Sequence, residues 1–283
     1  MRLFLMSALT MIAFAANSVL NRLALAGGSI DAVSFGVIRL LSGAAVLALL
    51  CVLLRGGVRL GGAGRVAGVA SLLIYLYGFS TAYRALDAGL GALILFGVVQ
   101  ITMFTGGLIK SEPMPARRWF GAVLAFAGLA WLLWPGGDTS VSLVHGLLMA
   151  LAGVGWGVYS LAGRLSRDAL QGTAANFILA APMGALVGYL LPSVEPTILT
   201  SQGILLAIIC GAVTSGMGYA LWYSVLPSLA SSVAAVAQLT VPVIATVGGV
   251  LFLDEALTLQ FSLASALVLG GVAISVVKRP KRQ

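Results

Sequence analysis

Long apolar runs, broken by short Gly- and Pro-rich stretches, fill the chain from end to end. Ten runs can be marked off, at about 3–25, 32–54, 66–84, 88–109, 117–134, 143–163, 172–191, 202–223, 229–252 and 258–277. Each supplies about 20 mostly apolar residues, the length a helix needs to cross a bilayer. Between them stand Gly27-Gly28-Ser29, Gly56-Gly57 through Gly64, Pro113 to Pro115, Pro135-Gly136-Gly137-Asp138 and Pro192 to Pro196. Gly and Pro in such places mark helix ends and turns. No connection is long enough for a soluble domain, so the chemistry is expected inside the bundle. The first run has Arg2 before it and Ala24-Leu25-Ala26 near its end, as a signal peptide would. It is too long for an h-region and carries Asn17, Asn21 and Arg22, so it is predicted to be a retained span. The pattern predicts an all-α polytopic membrane protein with ten transmembrane helices.

Composition sharpens this picture. Of the 283 residues, 60% are hydrophobic and only 8% charged, and mean hydropathy is +1.08. So few charges exclude a soluble enzyme, a disordered chain and a nucleic-acid binder, since soluble domains carry about 25% charged residues. The net charge of +8 lies in short clusters between apolar runs, which is a topology signal. With the N-terminus in the cytoplasm, thirteen of the sixteen basic residues fall on that side: Arg2; Arg55, Arg59 and Arg65; Lys110, Arg117 and Arg118; Arg164 and Arg167; and Lys278, Arg279, Lys281 and Arg282. Arg22 and Arg84 fall outside and Arg39 within a span. Asp31, Asp87, Asp138, Glu195, Asp254 and Glu255 also fall outside. Both termini are therefore predicted to be cytoplasmic, in an inner (plasma) membrane crossed many times. Cys51 and Cys210 lie in apolar runs and read as small buried hydrophobes, and His145 is the lone histidine.

A shift of 142 brings the two halves partly into register. Ala8, Leu9, Ser18 and Arg22 fall on Ala150, Leu151, Ser160 and Arg164, Phe14 on Trp156, and Gly106-Gly107 on Gly248-Gly249. After a one-residue slip, Gly128 falls on Gly271. A repeat of five spans must re-enter from the opposite side, so the halves, 1–135 and 143–283, are predicted to be inverted-topology repeats forming one transport unit. Secondary transporters often follow this plan, with a midplane site between the repeats.

The stretch from Leu226 to Val276 carries the resemblance to a known family: small residues entering a span, a mid-span Pro242, Glu255 at the span's end, Leu257-Thr258, and a last span with Gly270-Gly271. It resembles the C-terminal half of an EamA-type domain of the drug/metabolite transporter superfamily. The first half holds a fainter copy, with Glu112, Gly121 and Gly128, but has Gln100 where the second has Pro242. Within the superfamily the chain looks most like the YddG-type exporters of amino acids and metabolites. The resemblance implies a cavity lined by the first, third, fourth, sixth, eighth and ninth spans, and export of small molecules.

Ionisable groups at membrane depth are costly and point to function. Arg39 is the clear case. It either snorkels outward or anchors a substrate carboxylate. Asn17 and Asn21 share a helix face, either bonding a neighbouring helix or lining the cavity. Gln100 and Gln238 are mid-span amides suited to a zwitterion. Pro242, one turn beyond Gln238, frees a carbonyl or kinks the helix. Tyr75, Trp156, Tyr159 and Tyr219 are candidate pocket walls for aromatic or apolar side chains. Tyr83 and Tyr223 near span ends, and Trp119, Trp131 and Trp134, read as an interfacial belt. Gly153-x-x-x-Gly157 and Gly184-x-x-x-Gly188 read as packing motifs.

Every carboxylate sits at a span end or in a link, so no intramembrane carboxylate relay is expected, and transport should run down the substrate gradient or by exchange. There is no P-loop, and neither cofactor, metal nor nucleic acid is expected. The predicted activity is export of small metabolites, foremost neutral and aromatic amino acids, across the inner membrane by alternating access. Rivals are a multidrug or nucleotide-sugar-like carrier of the same fold, a membrane-embedded enzyme and a channel. An enzyme would need paired acids, His or a metal set at membrane depth, and none stands out. Monomer and homodimer both stay open.

Overall fold

The computed structural model describes residues 1–109, 115–134, 142–163, 166–190, 197–229, 234 and 237–276. Glu112, Asp138 and Glu195, singled out above, lie outside them. Helices dominate: α1 (Arg2–Ala26), α2 (Ala32–Arg55), α3 (Arg65–Ala82), α4 (Ala88–Ile109), α5 (Ala116–Leu132), α6 (Leu143–Gly163) and α7 (Ala169–Leu190). The eighth span is composite, with α8 (Ser201–Ile209), a π-helical segment (Cys210–Met217), α9 (Gly218–Val225) and a 3-10 turn (Leu226–Ser228). Then come α10 (Thr240–Leu253) and α11 (Leu259–Val276). Among the described residues, seven helices are long and apolar enough to cross a membrane, and three shorter apolar ones lie within α5, α10 and α11. The chain is a multi-pass membrane protein.

Local sequence explains the boundaries. Asp31 caps α2 by accepting from the Ser34 N–H at 2.9 Å, and Gly56 ends that helix at φ 74°. Thr200 caps α8 by accepting from the Gly203 N–H at 3.1 Å. Pro242 lies in the first turn of α10, where a missing N–H costs little. Its interruption falls at Leu239, because the proline has no N–H for the carbonyl of Gln238, four residues back. The proline therefore lies at the start of a helix.

Polarity runs inside out. Leu53, Phe120, Leu190 and Phe252 face outward, while Asn17, Asn21, Arg39 and Ser215 are buried. The main packing pairs are α3 with α6, α2 with α7, α5 with α11, and α4 with α6. α1 packs against α10 and along the eighth span, and α2 against the π segment. Both glycine motifs serve packing, as expected: Gly153 and Gly157 meet α4 at Val98 and Thr102, and Gly184 and Gly188 meet α2 at Leu40 and Val33. Among the described residues, Gly211 makes the tightest approach to another helix's backbone. A Cβ there would collide with the Ser42 hydroxyl and the Arg39 backbone carbonyl. At one end of the bundle the α1–α2 connection pairs with the strand entering α8 through an Ile30–Leu199 bridge. Bonds from Asp31 N to Ile198 O (3.2 Å) and from Thr200 N to Ser29 O (3.1 Å) extend that pairing.

Candidate functional site

Arg39 organises the centre. Its side chain is fully buried, so it does not snorkel. Nε donates to Ser215 Oγ at 2.8 Å. Nη2 donates to Asn17 Oδ1 at 3.2 Å and to the hydroxyls of Tyr219 and Tyr75 at 3.0 and 3.3 Å. The guanidinium carbon lies 5.2 Å from the Phe79 ring centroid and 5.5 Å from that of Tyr75, close enough for cation–π attraction. Nη1 has no hydrogen-bond partner. None of the ion pairs among the described residues involves Arg39. A cation at the middle of a membrane helix costs about 2.5–3.5 kcal/mol on insertion scales. Here neutral groups are all that offset that cost.

The neighbours are held as firmly. Asn17 Oδ1 also accepts from Thr214 Oγ1 at 2.7 Å, Ser215 Oγ at 3.0 Å and the Cys210 thiol at 3.2 Å. Asn21, one turn on, donates to Cys210 Sγ at 3.3 Å and accepts from Ser80 Oγ at 3.0 Å. The asparagine face thus bonds to α3 and to the π segment. Cys210 is a free thiol, as expected, yet it works as a polar partner rather than a plain hydrophobe. The π segment explains how one stretch presents Cys210, Thr214 and Ser215 together. Its wider turn is a form that recurs at functional sites. Tyr219 Oη donates to Tyr75 Oη at 3.0 Å.

Aromatic rings close the space beside this cluster. Trp156 lies 5.0 Å from Tyr75 and 4.7 Å from Tyr219 between ring centroids, and stacks on Tyr159 at 5.5 Å and 26°. Phe14 meets Trp156 edge-on at 5.5 Å and 86°. A closed cavity of only about 10 Å³ is lined by Phe14, Asn17, Tyr75, Phe79, Leu95, Phe96, Trp156 and Tyr219. These come from α1, α3, α4, α6 and α9. The ninth span supplies none of that lining among the described residues. Arg39 stands behind Asn17 and the two tyrosines, and the Trp156 indole N–H is buried without a partner. Of the predicted candidates, the structure brings together Asn17, Arg39, Tyr75, Trp156, Tyr159 and Tyr219. Gln100 and Gln238 are half-buried and stand outside both cluster and lining, as does Pro242.

Sequence reasoning missed Ser215, Thr214, Cys210, Phe14 and Phe79 as site residues. The signal available was the run Gly211-Ala-Val-Thr-Ser-Gly216, small and polar in a span. Tyr83 and Tyr223 are buried rather than interfacial, and Tyr83 Oη donates to Ala88 O at 3.1 Å. Among the described residues, no three His, Cys, Asp or Glu side chains stand close enough to hold a metal.

Two further polar clusters flank the centre. At the Arg22 end, that guanidinium lies 3.3 Å from Asp87 Oδ1 and 3.4 Å from Glu255 Oε1, and both oxygens of Glu255 accept from the Ala88 N–H at 2.9 Å. This ties α1 to the start of α4 and the end of α10. Burial pushes the Glu255 carboxyl above its ordinary value, and nearby Asp87 adds to the rise. The Ala88 N–H and Arg22 oppose it without cancelling it. A folded-state value above the unfolded one means that the folded protein holds the extra proton. This stabilising contribution is full below the ordinary glutamate range and is lost as pH rises through the raised value. Relative to Glu255→Gln, the wild-type melting temperature in detergent should therefore rise as pH falls from neutral toward 4.5. Parallel melting curves over that range would contradict the assignment. At the other end, Arg55 Nε donates to Asp168 Oδ2 at 2.7 Å, and Arg65 Nη1 donates to Asn176 Oδ1 at 2.6 Å.

A buried polar centre walled by aromatics thus lies inside a multi-pass helical bundle. The chain carries an EamA-like transporter domain, which places it with the drug/metabolite transporters, and it is a transporter rather than an enzyme. The family's model matches residues 145–277. An uncharacterized protein of Pseudomonas aeruginosa is 43% identical over 98% of this chain and 96% of its own length. The uncharacterized transporter YwfM of Bacillus subtilis is 27% identical over 92% of this chain and 89% of its own. A second, YoaV of the same organism, is 21% identical over 76% and 74%. One crystal structure of a protein 22% identical matches with a TM-score of 0.64, covering 94% of this chain and 96% of that one. At that identity the match speaks for the fold alone.

Proposed function

We propose that the protein exports small carboxylate-bearing metabolites, foremost neutral and aromatic amino acids, across the inner membrane by alternating access at one central site. The carrying observation is Arg39: a fully buried guanidinium faced by neutral groups, with Nη1 unpartnered. A carboxylate is the partner that geometry suits. It matches the fork of the guanidinium and forms charge-assisted bonds about twice as strong as neutral ones. Asn17, Tyr75 and Tyr219 present that charge to the cavity, and Trp156 and Tyr159 offer flat apolar walls to an aromatic side chain.

The architecture proposed is ten spans in two inverted five-helix repeats, 1–135 and 143–283, with cytoplasmic termini. The packing supports this. Under a two-fold relation any contact between a span and the one five further along maps onto itself, and α2 on α7 and α5 on α11 are main contacts of that kind. The same relation would also pair α3 on α6 with the eighth span on α1, and α4 on α6 with α10 on α1; all four occur. Among relatives, the YddG-type exporters fit this cargo best. The embedded cluster holds no carboxylate among the described residues, which favours exchange or downhill flux over proton coupling.

The test is flux of labelled phenylalanine, tryptophan, threonine and methionine into proteoliposomes, with and without a pH gradient. Saturable flux competed by unlabelled amino acids, and not by their carboxamides, is expected, unchanged by the gradient. Carboxamides that compete as well as the acids would refute the anchoring role of Arg39.

A further inference from the structure

A second cationic pocket lies between the centre and the Arg55 end of the bundle. Arg65 is the first residue of α3, where the positive end of the helix makes a cation unwelcome. Its acceptors are all neutral: Leu60 O at 3.0 Å, Gly61 O at 3.1 Å, Gly172 O at 2.7 Å and Asn176 Oδ1 at 2.6 Å. No ion pair among the described residues includes it. The small cavity it lines, of about 20 Å³, is also lined by Tyr159, whose buried hydroxyl lies beside Thr173 and Asn176. On one side this cavity shares Gly163, Ser166, Ala169 and Tyr223 with an open vestibule of about 580 Å³. On the other, the Tyr159 ring stacks on Trp156, which lines the central cavity. The vestibule is lined by Arg55, already paired with Asp168 at 2.7 Å, and by Arg167, and Arg65 is the cation that lines the cavity further in.

We propose that Arg65 and the Tyr159 hydroxyl form a second carboxylate-binding station, which a substrate occupies between the cytoplasm and Arg39. This rests on the reading that the cargo carries a carboxylate. A carboxylate there would replace the neutral amide oxygen of Asn176 as the stronger acceptor for Arg65. Arrival of cargo would thus loosen the tie between α3 and α7 that closes this end.

Exchange assays, with substrate saturating on the opposite face, report half-saturation at one face at a time. The probe is the amino acid of the four with the largest flux, in inside-out and right-side-out vesicles. Arg65→Gln and, separately, Tyr159→Phe should raise half-saturation about tenfold at the cytoplasmic face, the worth of one charge-assisted bond, and leave the opposite face unchanged. Tyr159→Phe keeps the ring and its stacking on Trp156, and an unchanged melting temperature would separate its effect from misfolding. Arg39→Gln should abolish flux from both faces. Equal increases at both faces, or none at either, would overturn the second station and leave Arg39 as the anchor. Wild-type flux indifferent to the carboxylate would overturn the cargo reading, and the station with it.

Discussion

Arg39→Gln should abolish carboxylate transport while leaving the protein as stable in detergent as the wild type, or more so. Hydrogen bonds to charged groups are worth about 1.5–3 kcal/mol each, and every 1.4 kcal/mol is tenfold in affinity. Losing one such bond, to the free Nη1, therefore weakens binding by roughly one to two orders of magnitude. Stability moves the other way, because a buried charge without a counterion is a standing cost. The neighbours do not become orphans: Asn17 Oδ1 keeps Thr214, Ser215 and Cys210 as donors, and Tyr219 still donates to Tyr75. Flux assays paired with melting curves check this. A variant that loses flux and also melts much earlier would assign Arg39 a structural role instead.

Gly211→Val should cost more in stability than other glycine substitutions in the bundle and should remove transport as well. The added carbons meet the Arg39 backbone carbonyl and the Ser42 hydroxyl. A carbonyl inside a helix cannot step aside as a flexible side chain can. Overpacking of this kind costs about 1–3 kcal/mol, sometimes more. It would also push the π segment off α2, so Ser215 would move away from Arg39 Nε. Gly270→Ala is the control, since a Cβ there meets nothing within 4 Å. Its melting temperature and flux should stay at wild-type values. Equal behaviour of the two variants would refute the tight contact.

Much of the fold was legible because hydropathy runs and turn residues act locally. The run at 88–109 is α4, and that at 143–163 is α6. Asn17 and Arg39 stood out because a polar group in lipid has no bland explanation. What escaped was set by tertiary contact. The π segment arises where α2 presses on Gly211 and where Thr214 and Ser215 find Asn17, and no local pattern encodes that. Tyr83 looked interfacial from its place near a span end, but the connection to α4 folds over it and takes its hydroxyl. Pro242 was readable as freeing a carbonyl or kinking a helix, and the structure puts a helix boundary just before it, at Leu239. Gln100 and Gln238 show the converse limit: depth along a span is readable from sequence, but the direction a side chain faces is fixed by packing.

The Ile30–Leu199 bridge turns the start of the eighth span into a pivot. With Ser29, Asp31, Ile198 and Thr200 bonded across it, the α1–α2 connection and the head of α8 are pinned together. Ser215 lies about 20 Å further along at 1.5 Å per residue. On a lever of that length, a tilt of about 3° displaces Ser215 by about 1 Å. That is twice the width of the usual hydrogen-bond distance range. The pinned end would hardly register such a swing, yet the bonds from Ser215 to Arg39 and Asn17 would open. The central cluster thus measures the angle of the eighth span, and occupancy of the site and inclination of that span are bound to change together.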